Sequence, residues 1–341
     1  MLKVTRRGVI KRLIGYPAFL VFALLLLWVV SIRMPGESFG GALPPLSGEQ
    51  IALRDHLRGH VAMLSGQIGP RNHLHRPGLD SAAEYVKASL AACGYVVTEQ
   101  AYSARGQTFR NFEATLPGRT RPGEIVVVGG HYDSVEGTPG ADDNASGTAA
   151  VIELSRLLKN TPAERTIKFV AFVNEEPPFF FSEDMGSRRY SKAAREHGDT
   201  IVAMLSLETI GYYRDAPGSQ HYPAGLGWFY PDRADFIGVV GNIGSRRLVR
   251  QVLGDFRKFA QFPSQGSAAP KQIPGISWSD QWSFWKDGYE AVMITDTAPF
   301  RNANYHEWFD RPDSLDYGRM ARVVSGISKT IVHLASSSYT R

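Results

Sequence analysis

Three short apolar runs, each rich in β-branched residues, end on side chains of the kind that bind metal ions. Glu124–Val128 leads into Gly129-Gly130-His131-Tyr132-Asp133, Thr166–Val173 into Asn174-Glu175-Glu176, and Ile201–Leu207 into Glu208. A fourth run, Ala291–Thr295, precedes a polar loop. Runs of this length, separated by helical pattern or loop, read as strands buried on both faces. Between the first two, Val151, Leu154, Leu157 and Leu158 mark one face of a helix over Ala145–Leu158, which makes a βαβ unit. The pattern predicts an α/β domain of three layers, an open, mixed, mostly parallel sheet flanked by helices. Its polar residues then gather at the carboxyl ends of the strands, where such sheets build their sites.

Each position has an ordinary use and a chemical one. His131 and Asp133 stand two apart in an extended continuation, so Asp133 can orient the imidazole. Asp142, Asp143 and Asn144 fall at a helix N-terminus, where capping explains Asp142 and Asn144, whereas a carboxylate such as Asp143 can also join two cations. Adjacent Glu175 and Glu176 repel at a sheet end unless positive charge lies between them. With metal present, one can ligate while the other takes a proton from water. His306 lies in a polar loop beyond the fourth run. A set of His, Asp, Glu, Glu and His suits zinc or a similar ion. Asn144-Ala145-Ser146 also matches a glycosylation acceptor, a weak reading beside such a cluster. The one Gly-x-Ser-x-Gly match, Gly36-Glu37-Ser38-Phe39-Gly40, lies in the expected linker and follows none of the strand runs, which disfavours a serine hydrolase.

The formal net charge is +5 over 341 residues. Lys3, Arg6, Arg7, Lys11, Arg12 and Arg33 all precede the first acidic residue, Glu37, and without them the remainder is near neutral, so no nucleic-acid partner is expected. Leu13 to Ile32 carries no charge, and a helix of that length just spans a hydrocarbon core of roughly 30 Å. The basic flank before it places the N-terminus in the cytoplasm. The expected plan is a cytoplasmic tail (1–12), an uncleaved transmembrane anchor (13–33), a linker (34–48) and an extracytoplasmic domain (49–337). A cleaved signal peptide is the competing reading, although no small-x-small site adjoins Ile32. Cys93, the only cysteine, allows no intrachain disulfide and reads as a small buried side chain. Residues 214–236 form a long aromatic and Gly/Pro-rich stretch without periodicity, either part of the site or an insertion packed on itself.

In order and spacing, His131-Tyr132-Asp133-Ser134, Gly140 to Gly147, Asn174-Glu175-Glu176, Leu207-Glu208-Thr209, Ser279-Asp280 and Tyr305-His306 resemble the M28 family of co-catalytic zinc peptidases. The resemblance extends from about Ile51 to Ser325 and implies a zinc-exopeptidase fold with two Zn²⁺, for which Co²⁺ or Mn²⁺ can substitute. It implies that Asp143 bridges the ions, with His131 and Glu208 on one and Glu176 and His306 on the other, and that Glu175 is the general base. It further implies peptide substrates cleaved at the N-terminus and a cis Asp143–Asn144 peptide. Gln281 stands where many relatives have His, and Glu307-Trp308 where a Thr often follows the last ligand; both departures should border the substrate pocket. Two alternatives remain: a glutaminyl-cyclase-like transferase with one zinc, and a receptor-like domain without catalysis.

Overall fold

The computed structural model describes residues 16–19, 21–22, 25, 28–223 and 225–336. Its eight strands are β1 (Val97–Ala104), β2 (Gln107–Leu116), β3 (Arg121–His131), β4 (Arg165–Phe172), β5 (Thr200–Glu208), β6 (Ile237–Asn242), β7 (Ser264–Ala269) and β8 (Ala291–Thr295). They form one sheet in the order β1-β2-β4-β3-β5-β8-β6-β7. The four apolar runs are the four central strands, mutually parallel. β1 and β2 form an antiparallel hairpin on one side, and on the other β6 lies antiparallel to β8 with β7 parallel to it.

Helices cover both faces: α1 (Gly48–Val61), α2 (Arg76–Ala92), α3 (Gly147–Leu158), α4 (Gly186–His197), α5 (Arg246–Phe259), α6 (Gln281–Lys286) and α7 (Tyr317–Ser336). Strand alternation splits β3 between two cores. Val126 and Val128 pack with Leu57, Leu154 and Ile327 of α1, α3 and α7. Ile125 and Val127 pack with Tyr190 of α4 and Phe284 of α6.

Register brings the chemistry to one level. His131 of β3 is opposite Phe172 of β4, and Gly129 is opposite Ser206 of β5, so His131 and Glu208 leave the sheet together. Gly147 lets α3 begin against the end of β5; a Cβ there would lie 2.3 Å from both the Leu207 carbonyl and Asn144 Oδ1.

Among the described residues no helix is long and apolar enough to cross a membrane. Of the expected anchor, residues 13–15, 20, 23, 24, 26 and 27 lie outside the described residues. The expected linker runs along the domain: Met34 and Leu43 pack against the core, Arg257 donates to the carbonyls of Pro35 (3.0 Å) and Gly36 (2.9 Å), and Ser38 Oγ accepts from the Ser264 amide (2.9 Å). Cys93 is half-buried beside the Ile152 carbonyl.

Candidate active site

His131, Asp133, Asp143, Glu175, Glu176 and Glu208 lie at the carboxyl ends of β3, β4 and β5 or in the loops that follow them, and His306 reaches the same place from the loop after β8. His131 Nε2 is 3.4 Å from Asp143 Oδ1 and 3.2 Å from Glu208 Oε2. On the far side of the same carboxylate, His306 Nε2 is 3.0 Å from Asp143 Oδ2 and 3.6 Å from Glu176 Oε2. Two groups able to hold an ion therefore share Asp143: His131, Asp143 and Glu208, and Asp143, Glu176 and His306. Glu175 Oε2 lies 3.9 Å from His131 Nε2, over the first group.

The donor set fits metal ions. His131 Nε2, Asp143 Oδ1 and Glu176 Oε1 are buried without a hydrogen bond, which is costly unless something else binds them. Burial and the neighbouring carboxylates push Glu175 and Glu176 well above the ordinary carboxyl range. Burial disfavours a charged His131, but Glu208 and Glu175 outweigh it and raise that imidazole well above its usual range. Acids pushed up and a histidine drawn up mark a pocket with an excess of negative charge, which two divalent cations would relieve. Asp143 goes the other way: burial opposes its charge, yet His131 and His306 hold it below the usual range.

Asp133 does more than its spacing showed. Its Oδ1 and Oδ2 accept the amides of Glu175 and Glu176, each at 3.2 Å, and so fix the turn that aims both glutamates. His131 Nδ1 lies 3.2 Å from the Asp133 backbone carbonyl and 3.5 Å from its carboxylate. Asp142 is not a cap. Its oxygens accept from the Gly211 amide (3.0 Å) and Asn302 Nδ2 (3.1 Å), which ties the loop to the segment after β5. Asn144 does cap, accepting from the Gly147 amide at 3.0 Å, and it also holds Thr209 N and the Leu207 carbonyl. It is fully buried, which closes it to glycosylation. The Asp143–Asn144 peptide is cis.

Three supports escaped sequence reasoning. Asp310 accepts the amides of Asp142 (2.9 Å) and Asp143 (3.1 Å), positioning the shared carboxylate, and burial raises its pKa to about 7. Ser279 donates to Glu208 Oε2 at 2.6 Å. Arg71, fully buried, donates to the carbonyls of Tyr132 and Gly140 (2.7 Å each) and so joins the end of β3 to the Asp143 loop. Ser279 and Arg71 fall within segments that carry the family resemblance, but only tertiary contact gives them a role. Asp280, beside Ser279, is buried with both oxygens unpartnered, and burial raises it to about 7.

A mostly apolar cavity of roughly 810 Å³, including its mouth, opens beside Glu208, Thr209 and Tyr305. Tyr222, Tyr230, Phe236, Ile276, Trp278 and Phe300 wall it. The 214–236 stretch thus packs on itself, through the Tyr222–Tyr230 stack at 5.6 Å, and also builds the pocket. Gln281 is buried and donates to the Ile276 carbonyl at 3.0 Å, so that departure from the family supports a pocket wall from behind. Trp308 is exposed beneath Arg311.

A pocket in which buried His131, partly exposed His306 and excess carboxylates meet at the carboxyl ends of a mixed α/β sheet fits a metal-dependent hydrolase. The chain belongs to peptidase family M28, whose model matches residues 111–331, and it is accordingly a peptide hydrolase. It is 37% identical over 319 residues to the uncharacterized protein YfbL of Escherichia coli, covering 90% of this chain and 97% of that one. In fold it is similar to a zinc aminopeptidase from Bacillus subtilis (TM-score 0.67, 15% identity, 84% and 96% covered) and to a glutaminyl cyclase from Fimbriiglobus ruber (TM-score 0.62, 17% identity, 88% and 99% covered).

Proposed function

We propose that this protein is a two-zinc aminopeptidase, held to a membrane by its N-terminal segment and acting outside the cytoplasm. The observation that carries the reading is Asp143, whose two oxygens face His131 and His306 on opposite sides, each with its own glutamate. His131, Asp143 and Glu208 would hold one ion, and Asp143, Glu176 and His306 the other. When bound, the pair supplies Lewis acidity that makes water nucleophilic near neutral pH and polarises a peptide carbonyl.

The remaining work falls to the chain's own groups. Glu175, whose Oε2 lies 3.9 Å from His131 Nε2, takes the proton of the attacking water and delivers it to the departing amine. Asp133 holds Glu175 in place through its amide. The cavity beside Glu208 takes an apolar side chain of the substrate. The carboxylates of Asp133, Asp143, Glu175, Glu176 and Glu208 gathered around one pocket support binding of a free α-ammonium and hence cleavage at the N-terminus. The uncharged run and its basic flank support the anchor and the extracytoplasmic placement.

Likeness to a glutaminyl cyclase keeps one alternative in view, a transferase with one zinc. The intact His131–Glu208 half favours two ions, and no ligand or base is missing as a receptor-like domain would require. The test is Glu175→Gln. It should retain zinc and lose roughly 10²–10⁴ in kcat on aminoacyl chromogenic substrates. Unchanged hydrolysis would overturn the assignment.

A further inference from the structure

Helix α5 buries Leu248, Val249, Val252, Leu253 and Phe256 and leaves Arg246 and Arg250 partly exposed and Arg247 exposed. Arg246 and Arg250 meet the last residues of the proposed anchor. Arg246 donates to the carbonyls of Val30 (2.6 Å) and Val29 (3.0 Å), and Arg250 to that of Arg33 (2.5 Å). Arg33 in turn sits over the Trp28 ring at 5.9 Å. Met34 and Pro35 lie against Gly266 and Gly254.

The charges on this face are unbalanced. Arg247 pairs with Glu290, but among the described residues no carboxylate pairs with Arg33, Arg246 or Arg250. Arg250 is held below its usual range by burial and by the nearby Arg246 and Arg33. Carbonyls accept their hydrogen bonds but cancel none of the charge. Trp28 (39% exposed), Val29 (40%) and Ile243 (43%) lie beside them. Uncompensated guanidinium groups next to exposed Trp and aliphatic side chains match the headgroup level of an anionic bilayer, where arginine binds phosphate and Trp sits at the interface.

We propose that Arg33, Arg246 and Arg250, with Trp28 and Ile243, form a docking surface for the phosphates of anionic phospholipids, seating the catalytic domain directly on the bilayer. This rests on the anchor proposed above. A basic residue at an anionic surface contributes about 5-fold to binding, so Arg246 and Arg250 together should shift the docked-to-undocked ratio about 25-fold.

The test uses the full chain carrying Cys93→Ser and Ile243→Cys, labelled with an environment-sensitive fluorophore. It is placed in nanodiscs of phosphatidylcholine alone or mixed with phosphatidylglycerol, both with a headgroup-proximal lipid quencher. Docking predicts quenching in the anionic discs that largely disappears at about 0.5 M salt. It also predicts weak quenching for Arg246→Gln with Arg250→Gln, and near-complete retention for the double Lys variant, which keeps the charge and loses the clamp geometry. Equal quenching in neutral and anionic discs would overturn the docking surface and leave the anchor standing. Loss of quenching in the Lys variant equal to that in the Gln variant would reduce the arginines to a structural clamp. Failure of the chain to enter discs of either kind would overturn the anchor and the docking surface together.

Discussion

Asp133→Asn isolates the hold on the catalytic turn without changing its shape. The wild-type carboxylate accepts two amides, from Glu175 and Glu176, each at 3.2 Å. Hydrogen bonds to a charged acceptor contribute about 1.5–3 kcal/mol each, and a neutral one about 1. The amide of Asn can accept one N–H but turns its own N–H₂ toward the other. The turn therefore loses about 2–5 kcal/mol of restraint, and His131 loses a nearby negative charge. At about 1.4 kcal/mol per tenfold, full expression in the transition state is a fall of roughly 30- to 4,000-fold in kcat/KM. Zinc affinity should weaken by about 10- to 100-fold, as for other partners of metal ligands. The assay is hydrolysis of an aminoacyl chromogenic substrate at saturating zinc, alongside zinc titration against a competing chelator. A variant within about threefold of wild type in both measurements would refute the argument that Asp133 positions the pair.

Val240→Phe should fill the cavity beside Glu208. Burying a Leu side chain contributes about 1.5–3 kcal/mol, so the kcat/KM preference for Leu over Ala substrates should fall about 10- to 100-fold while Ala hydrolysis holds; an unchanged ratio would place the side chain elsewhere. Glu153, buried under α1, accepts from Arg156 and faces His60; burial opposes its charge, but these partners bring its pKa down to about 2. A depressed carboxyl stabilises the fold above its unfolded pKa of about 4.5 and loses that contribution as pH falls through about 2. Glu153→Gln should thus cost about 2–3 kcal/mol in urea unfolding at pH 7 and about half as much at pH 3, whereas a pH-independent cost would point to packing alone. Gly147→Ala should force α3 off the end of β5, displacing Asp143 from Glu208 and lowering zinc affinity more than tenfold; wild-type zinc titration would contradict the close approach.

The central half of the sheet was legible because β3, β4, β5 and β8 are buried on both faces and read as unbroken apolar runs. β6, Ile-Gly-Val-Val-Gly-Asn, is interrupted by two glycines, and β7, Ser-Gln-Gly-Ser-Ala-Ala, has no branched residue, so neither stands out as an apolar run. They hold their places through α5 and the 28–38 segment laid over them. Edge strand β1 alternates weakly because it is exposed or half-buried on both faces, with only Ala104 buried. The positions of His131, Asp133, Asp143, Glu175, Glu176, Glu208 and His306 could be read because strand ends and family spacing both mark them. Asp310 could not, since its partner amides lie about 170 positions away in the chain (167 from Asp143) and its loop gives no periodic cue. Asp142 was misjudged for a related reason: a helix N-terminus explains an aspartate locally, and only the folded chain shows its oxygens turned toward Gly211 and Asn302.

The central claim is that Asp143 joins two metal centres, and zinc bound per purified full-length chain tests it most directly. Equilibrium dialysis followed by elemental analysis should find about two zinc ions per chain. One tightly held ion, with no second bound at any zinc concentration that leaves the protein folded, would contradict the account and favour the one-zinc transferase.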